Sequence, residues 1–131
     1  MVKEILKCTK SLNLLYVEDD ELIQSVYSDL FSNLFKSITI ANDGLEALEK
    51  YKNNKFDIII SDIRMPNMNG IDFITKVREE DENILIIIYS AWNELENLKP
   101  SNNLNISGYM SKPIQTESMI DIFKKVLCTN R

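Results

Sequence analysis

Glu18, Asp19, Asp62, Ser90 and Lys112 place three carboxylates, a hydroxyl and an ammonium at separations of 44, 28 and 22 residues (Glu18 to Asp62, Asp62 to Ser90, Ser90 to Lys112). Each group closes or directly follows a short apolar run: "LLYV" before Glu18, "IIIS" before Asp62, "IIIY" before Ser90 and "GYMS" before Lys112. Carboxylates held together repel and raise one another's pKa unless a cation sits among them. A hard divalent ion such as Mg2+ (or Mn2+) with oxygen ligands suits such a set. A carboxylate can also attack phosphorus and hold it as an acyl phosphate. A hydroxyl, a lysine and a metal would then share the phosphoryl oxygens, which is the positioning and charge neutralisation that phosphoryl transfer requires.

Each residue alone has a plainer explanation. Acids favour helix N-termini, so Asp20 reads as a cap. Ser90 could close a turn, and Lys112 before Pro113 could be a solvated loop lysine. The conjunction argues against these readings, provided that the elements carrying the residues converge.

The hydrophobic pattern supplies that convergence. Leu12–Val17, Ser37–Ala41, Phe56–Ser61, Ile84–Tyr89 and Gly108–Met110 read as strands, the first, third and fourth of them mostly apolar runs. Such runs are buried on both faces, as in parallel sheets. Between them, Leu22, Ile23, Val26, Tyr27, Leu30, Phe31 and Leu34 predict a helix over Asp20–Phe35. Leu45, Leu48 and Tyr51 share a second helical face opened by the Asn42-Asp43-Gly44 turn. Ile71, Ile74 and Val77 mark a third helix over 70–80. Met119, Ile120, Phe123, Val126 and Leu127 mark the last, from Thr116. Strand-helix repetition with right-handed crossovers predicts an α/β domain of three layers, α/β/α. Its core is a doubly wound five-stranded parallel sheet in the flavodoxin-like order 2-1-3-4-5. In that order strands 1 and 3 are neighbours, and their C-terminal acids face one crevice.

Composition narrows the chemistry. The chain contains no histidine, which removes Ser-His-Asp and Cys-His catalysis and most zinc sites. A net charge of −5 argues against nucleic-acid binding. Cys8 and Cys128 stand near opposite ends without a CxxC pair and read as free thiols of a reducing compartment. The N-terminal residues read as having no secretory leader, and no apolar run reaches the roughly 18 residues of a membrane helix. Residues 1–11 read as an N-terminal extension, 12–128 as one domain and 129–131 as a tail.

With these residues in place, "LLYVEDDELI", "IIISDIRMPNMNGIDFI", "IIIYSAW" and "GYMSKPI" resemble the successive signatures of the response regulator receiver domain, the CheY-like phosphoacceptor family. The resemblance runs from Leu12 to Leu127. It implies that Asp62 is the phosphoacceptor and that Glu18 and Asp19 form the acidic pair, Asp19 binding Mg2+ directly and Glu18 mainly through water. It implies that the backbone carbonyl of Arg64 completes the metal ligands, that Ser90 is the switch hydroxyl, that Lys112 pairs with the phosphoryl group and that Tyr109 is the switch aromatic. A cis peptide before Pro113 is a further expectation. The implied function is a phosphorylation-driven switch of a two-component system. A histidine kinase, phosphotransfer protein or small phosphodonor would supply phosphate, and the face of the fourth crossover helix, fifth strand and last helix would change. The protein would act in the cytoplasm on a downstream protein, with phosphorylation-dependent dimerisation a further expectation, and would catalyse nothing beyond its own phosphorylation and dephosphorylation. The same motifs fit a receiver fragment of a longer regulator or hybrid kinase. A Mg2+-dependent phosphohydrolase is a distant alternative, because such enzymes want an acid where Arg64 stands.

The chain departs from the family pattern in three respects. Arg64 and Trp92 lie two residues beyond Asp62 and Ser90, flanking the path of attacking water, and are expected to slow dephosphorylation. Pro100 falls where the interior of the fourth crossover helix is expected, at a cost of about 3 kcal/mol if it is interior. Asn105 replaces the usual glycine, and asparagine tolerates the left-handed conformation. Finally, Ser90 replaces the commoner threonine but keeps the hydroxyl.

Overall fold

The computed structural model describes residues 3–91, 93–95 and 103–128. Five parallel strands, β1 (Asn13–Val17), β2 (Ser37–Ala41), β3 (Ile58–Ser61), β4 (Leu85–Ser90) and β5 (Gly108–Ser111), lie in the order β2-β1-β3-β4-β5, as the sequence predicts. The helices are α1 (Lys3–Thr9), α2 (Glu21–Ser32), α3 (Gly44–Asn53), α4 (Gly70–Glu80) and α5 (Thr116–Leu127), and residues 93–95 are also helical.

Strand alternation divides the apolar residues between two cores. Leu14, Tyr16, Ile58, Ile60, Ile87 and Tyr89 face α1, α2 and α5, meeting Ile5, Phe31, Met119, Ile120 and Phe123. Leu15, Val17, Ile59, Ile86 and Ile88 face α3 and α4, meeting Ala47, Phe73, Ile74 and Val77. Every residue of β3 is buried, and full burial of an isoleucine contributes roughly 1.5–3 kcal/mol. That burial leaves β3 no freedom to slide, which fixes where its C-terminal end stops.

The helices start where the side chains say. Asp20 caps α2, accepting from the amides of Leu22 and Ile23, so its cap reading is the one the structure bears out. Asp43 caps α3 through Glu46 N, and Asn69 caps α4 through Asp72 N; such caps contribute about 1 kcal/mol each. The inward stripe of α2 is narrower than its apolar pattern suggests. Leu22 and Val26 are 77% and 58% exposed, and Leu45 of α3 is 54% exposed. In α2 the core is met through Tyr27, Leu30 and Phe31, and a neighbouring residue lies about 100° round the helix, beyond the sheet's reach.

Asn105 adopts a left-handed conformation with φ 56°, and the Lys112–Pro113 peptide is cis, both as expected. Arg78 of α4 holds the chain leading to β5, donating from Nε to the Leu104 carbonyl at 2.7 Å and from Nη2 to that of Asn105 at 2.8 Å. Pro100 and most of the expected fourth crossover helix lie outside the described residues.

The N-terminal residues do more than extend the chain. Ile5 is buried in the core between the sheet and α5, and Thr9 Oγ1 donates to the Leu34 carbonyl at 2.7 Å. Packing of α1 against α5 brings the Cα atoms of Cys8 and Cys128 to 5.4 Å, and the two form a disulfide. The expectation of free thiols is therefore corrected: residues 120 positions apart give no local pairing signal, and only the docking of α1 makes them neighbours. Closing a loop that long is expected to stabilise the fold by about 4–5 kcal/mol on the chain-entropy argument. Thermal unfolding with and without reductant checks this. The reduced protein and a Cys8→Ser/Cys128→Ser variant should share one lowered Tm, and the denatured, unreduced protein should show no titratable thiol.

Candidate functional site

The register of the sheet delivers the chemistry to one edge. Val17 pairs with Ser61, so Glu18 and Asp62 emerge at the same level; Ser61 pairs with Ile88 and Ile88 with Tyr109, so Lys112 leaves β5 two residues beyond that level and reaches the acids with its long side chain. Backbone bonds lock the exits: Asp62 N donates to Val17 O at 3.1 Å, Glu18 N to Ala41 O at 3.1 Å and Lys112 N to Ser90 O at 2.9 Å. The loop after Asp62 is folded tightly back. Gly70 N donates to Ile63 O at 2.7 Å, and a Cβ on Gly70 would lie 2.0 Å from the Asp62 carbonyl oxygen. Only glycine permits that approach, which accounts for the glycine eight residues after the acid.

Lys112 is the centre of the cluster. Its Nζ donates to Asp62 Oδ2 at 2.7 Å and lies 3.2 Å from Glu18 Oε1. The second Asp62 oxygen, Oδ1, accepts from Ile63 N at 2.7 Å. Burial raises the Asp62 pKa, and Lys112 only partly offsets it. Burial alone would lower the Lys112 ammonium, but Asp62 and Glu18 outweigh it and hold the pKa above its ordinary value. Asp19 is exposed, yet its pKa is raised, first by partial desolvation and then by Glu18, against the pull of its own amide.

Glu18 is fully buried, and both of its oxygens accept hydrogen bonds. Oε2 accepts from Asp20 N at 2.9 Å, while Oε1 is shared between Lys112 and the hydroxyl of Tyr89. The Tyr89 hydroxyl also lies 2.8 Å from that of Tyr16, and the Lys112 ammonium stands 4.8 Å from the Tyr89 ring centroid. Tyrosines inside apolar strand runs read as core, and the sequence carries no signal that two of them meet across β3 beneath a glutamate.

One ligand oxygen from each of Glu18, Asp19 and Asp62 lies within 4.8 Å of the others. An all-carboxylate set of this span suits a hard divalent cation. Asp19, which is exposed, and Asp62 are the acids best placed to hold it, with Glu18 fully buried behind them and accepting on both oxygens.

Ser90 is buried and points its hydroxyl elsewhere: Oγ donates to Glu94 Oε1 at 2.7 Å. Glu94 Oε2 accepts from Arg64 Nε, whose side chain is 83% exposed. Partial burial pushes the Glu94 pKa up, but the bonds from Ser90 and Arg64 bring it below the ordinary carboxylate value. Sequence reading missed Glu94; the signal available was an acid four residues past the hydroxyl, one helical turn away. Tyr109 is half-buried and packs on the α3/α4 side of the sheet. Trp92 lies outside the described residues. Thus Glu18, Asp19, Asp62 and Lys112 come together, while Ser90 and Arg64 are drawn toward Glu94.

Removing Lys112 would leave Glu18 buried without its cation. Lys112→Ala is expected to cost about 3 kcal/mol, the low end for a broken buried pair, because the lysine is 24% exposed. Millimolar Mg2+ should restore part of the loss by binding the freed acids. Urea unfolding of wild type and variant with and without Mg2+ checks both effects.

Residues 14–124 match the family model described as response regulator receiver domain. The chain is 31% identical over 119 residues to a probable transcriptional regulator, ycf29, of Porphyra purpurea, and spans 57% of its length. It is 30% identical over 113 residues to the chemotaxis protein CheY of Halobacterium salinarum, covering 86% of this chain and 94% of that one. Among solved structures, the chemotaxis response regulator CheY4 of Vibrio cholerae superposes with a TM-score of 0.79 at 28% identity, covering 91% of this chain and all of the other. Among the described residues, no helix is long and apolar enough to cross a membrane.

Proposed function

The chain belongs to the response regulator receiver family, whose members are signalling switches, and from that premise we propose that it accepts a phosphoryl group on Asp62 in a Mg2+-dependent reaction and changes conformation in response. The observation that carries the reading is the Asp62 carboxylate, held at the end of a fully buried strand, between the Lys112 ammonium at 2.7 Å and the acids Glu18 and Asp19.

An Asp62 oxygen attacks phosphorus; the new O–P bond forms as the bond to the donor breaks, a P–N bond to a kinase or phosphotransfer histidine, or a P–O bond in acetyl phosphate. The donor leaves with the bonding electrons, as neutral imidazole once protonated or as acetate. Lys112, already facing the cluster, follows one phosphoryl oxygen, and the Ser90 hydroxyl turns to another. A divalent ion held by Asp19, Asp62 and the backbone carbonyl of Arg64, with Glu18 acting through water, would neutralise the remaining charge when bound. Withdrawal of Ser90 vacates space that Tyr109 enters, and the face around β5 and α5 is altered, a local charge event biasing a two-state element. A downstream protein reads that face, directly or through a phosphorylation-dependent dimer, and the compartment consistent with such a kinase partner is the cytoplasm. The match to the longer ycf29 relative favours, as a second reading, the receiver portion of a larger regulator.

Incubation with acetyl phosphate and Mg2+ should add one phosphoryl group by mass, stable in acid and labile in base, and Asp62→Asn should abolish it. Repeated turnover of phosphate esters without a stable adduct would indicate a hydrolase instead. Absence of any adduct would indicate a docking module.

Arg64 and Trp92 are proposed to obstruct the water that hydrolyses the acyl phosphate. The Arg64→Ala/Trp92→Ala variant should therefore lose its phosphoryl group several-fold faster than wild type in a chase without donor; an unchanged lifetime sinks the idea.

A further inference from the structure

Glu94 has no part in the switch as described, yet both its oxygens are engaged. One accepts the Ser90 hydroxyl at 2.7 Å and the other accepts Arg64 Nε. Its amide donates to the Ala91 carbonyl at 3.0 Å, which fixes the turn directly after β4. Its side chain is only 20% exposed. Three segments thus meet on one carboxylate: the end of β4, the turn after it and the loop following Asp62.

We propose that Glu94 is a latch on the switch hydroxyl: it holds the Ser90 O–H away from Asp62, slows phosphorylation, and is displaced when the phosphoryl group arrives. A serine hydroxyl has one proton to donate, so the bond to Glu94 and a bond to a phosphoryl oxygen are mutually exclusive. The resident bond is charge-assisted and about twice as strong as a neutral one. Ser90 is 1% exposed, so little solvent is at hand to compensate the exchange. Once Ser90 leaves, Glu94 keeps only its bond to an exposed arginine among these side-chain partners, and exposed pairs hold weakly. The two ends of the contact are therefore linked. Whatever stabilises Ser90 on Glu94 opposes phosphorylation, and phosphorylation in turn loosens the turn at 93–95 from the Asp62 loop. Glu94 acts through Ser90 and is a positioning residue, not one that touches the phosphoryl group.

This inference rests on Asp62 being the phosphoacceptor, and the test separates the two. Initial rates of phosphoryl uptake from acetyl phosphate at saturating Mg2+ are followed by intact mass for wild type, Glu94→Ala, Glu94→Gln, Ser90→Ala and Ser90→Ala/Glu94→Ala. Freeing the hydroxyl should make Glu94→Ala about tenfold faster than wild type. Glu94→Gln, close in shape and still an acceptor but uncharged, should fall between them and carries the test if the alanine variant folds poorly. In the Ser90→Ala background, removing Glu94 should change nothing, because the two residues act as one unit. An unchanged or slower Glu94→Ala or Glu94→Gln rate, with normal wild-type uptake on Asp62, overturns the latch alone. So does an equal acceleration without Ser90, which would mean that the charge of Glu94 acts directly. No uptake by wild type, or uptake that survives Asp62→Asn, overturns the phosphoacceptor reading and the latch with it.

Discussion

The Lys112 ammonium stands between two carboxylates, 2.7 Å from Asp62 Oδ2 and 3.2 Å from Glu18 Oε1, and the rest of the site is arranged around that contact. Glu18 is fully buried, a position an isolated charge could not occupy. It is tolerable because both oxygens find donors: Asp20 N on one, the Tyr89 hydroxyl and Lys112 on the other. No buried side-chain polar atom among the described residues lacks a hydrogen bond. The pairing also explains why three acids can be packed within 4.8 Å of one another. Glu18 is hydrogen-bonded on both oxygens from behind, Asp62 shares the lysine with it, and Asp19 remains exposed at the mouth.

The contact depends on strands that cannot move. Asp62 follows a β3 buried at every position, and Lys112 follows a β5 whose end is bonded to the end of β4 through Lys112 N and Ser90 O. The two sheet faces contribute differently. On the α3/α4 face, Gly44 and Gly70 let the 62–70 loop press against the helix starts. On the other face the core is aromatic: Tyr16, Tyr27, Phe31, Phe35, Tyr89 and Phe123 stack or meet edge to face, and two of their hydroxyls reach the sheet edge from beneath. Tyr27 extends this layer to the Lys112 loop, its hydroxyl accepting from Ile114 N at 3.1 Å. At the opposite end of the sheet, α1, the disulfide and Ile5 close the bottom of the same layer.

Much of this was legible in the chain. The continuous apolar runs of β1, β3 and β4 have no polar face, so a parallel sheet covered on both sides is the only economical fold for them. Asp20 and Asp43 announce helix starts because a short side-chain oxygen can satisfy free amides locally, whereas the same role of Asn69 went unread. The residues that follow the strands could be named as a site because strand order puts their ends side by side. Reading failed where a residue's role depends on something distant in sequence. Leu22, Val26 and Leu45 are apolar at helical spacing but face outward, since periodicity gives a stripe without its width. Cys8 looked like a free thiol because its partner is at the other end of the chain.

The sequence by itself determined the sheet, its order, the capping of two helices and the identity of the acids, hydroxyl and lysine at the crevice, because each follows from local pattern or from a chain-order rule. The tertiary structure alone decided how those groups are partnered. It placed Tyr89 and Tyr16 under Glu18, turned Ser90 toward Glu94, drew Arg64 to the same carboxylate and joined Cys8 to Cys128. The physical reason is that a hydrogen bond or a disulfide is settled within a few tenths of an ångström, and that distance is set only when separate elements have packed.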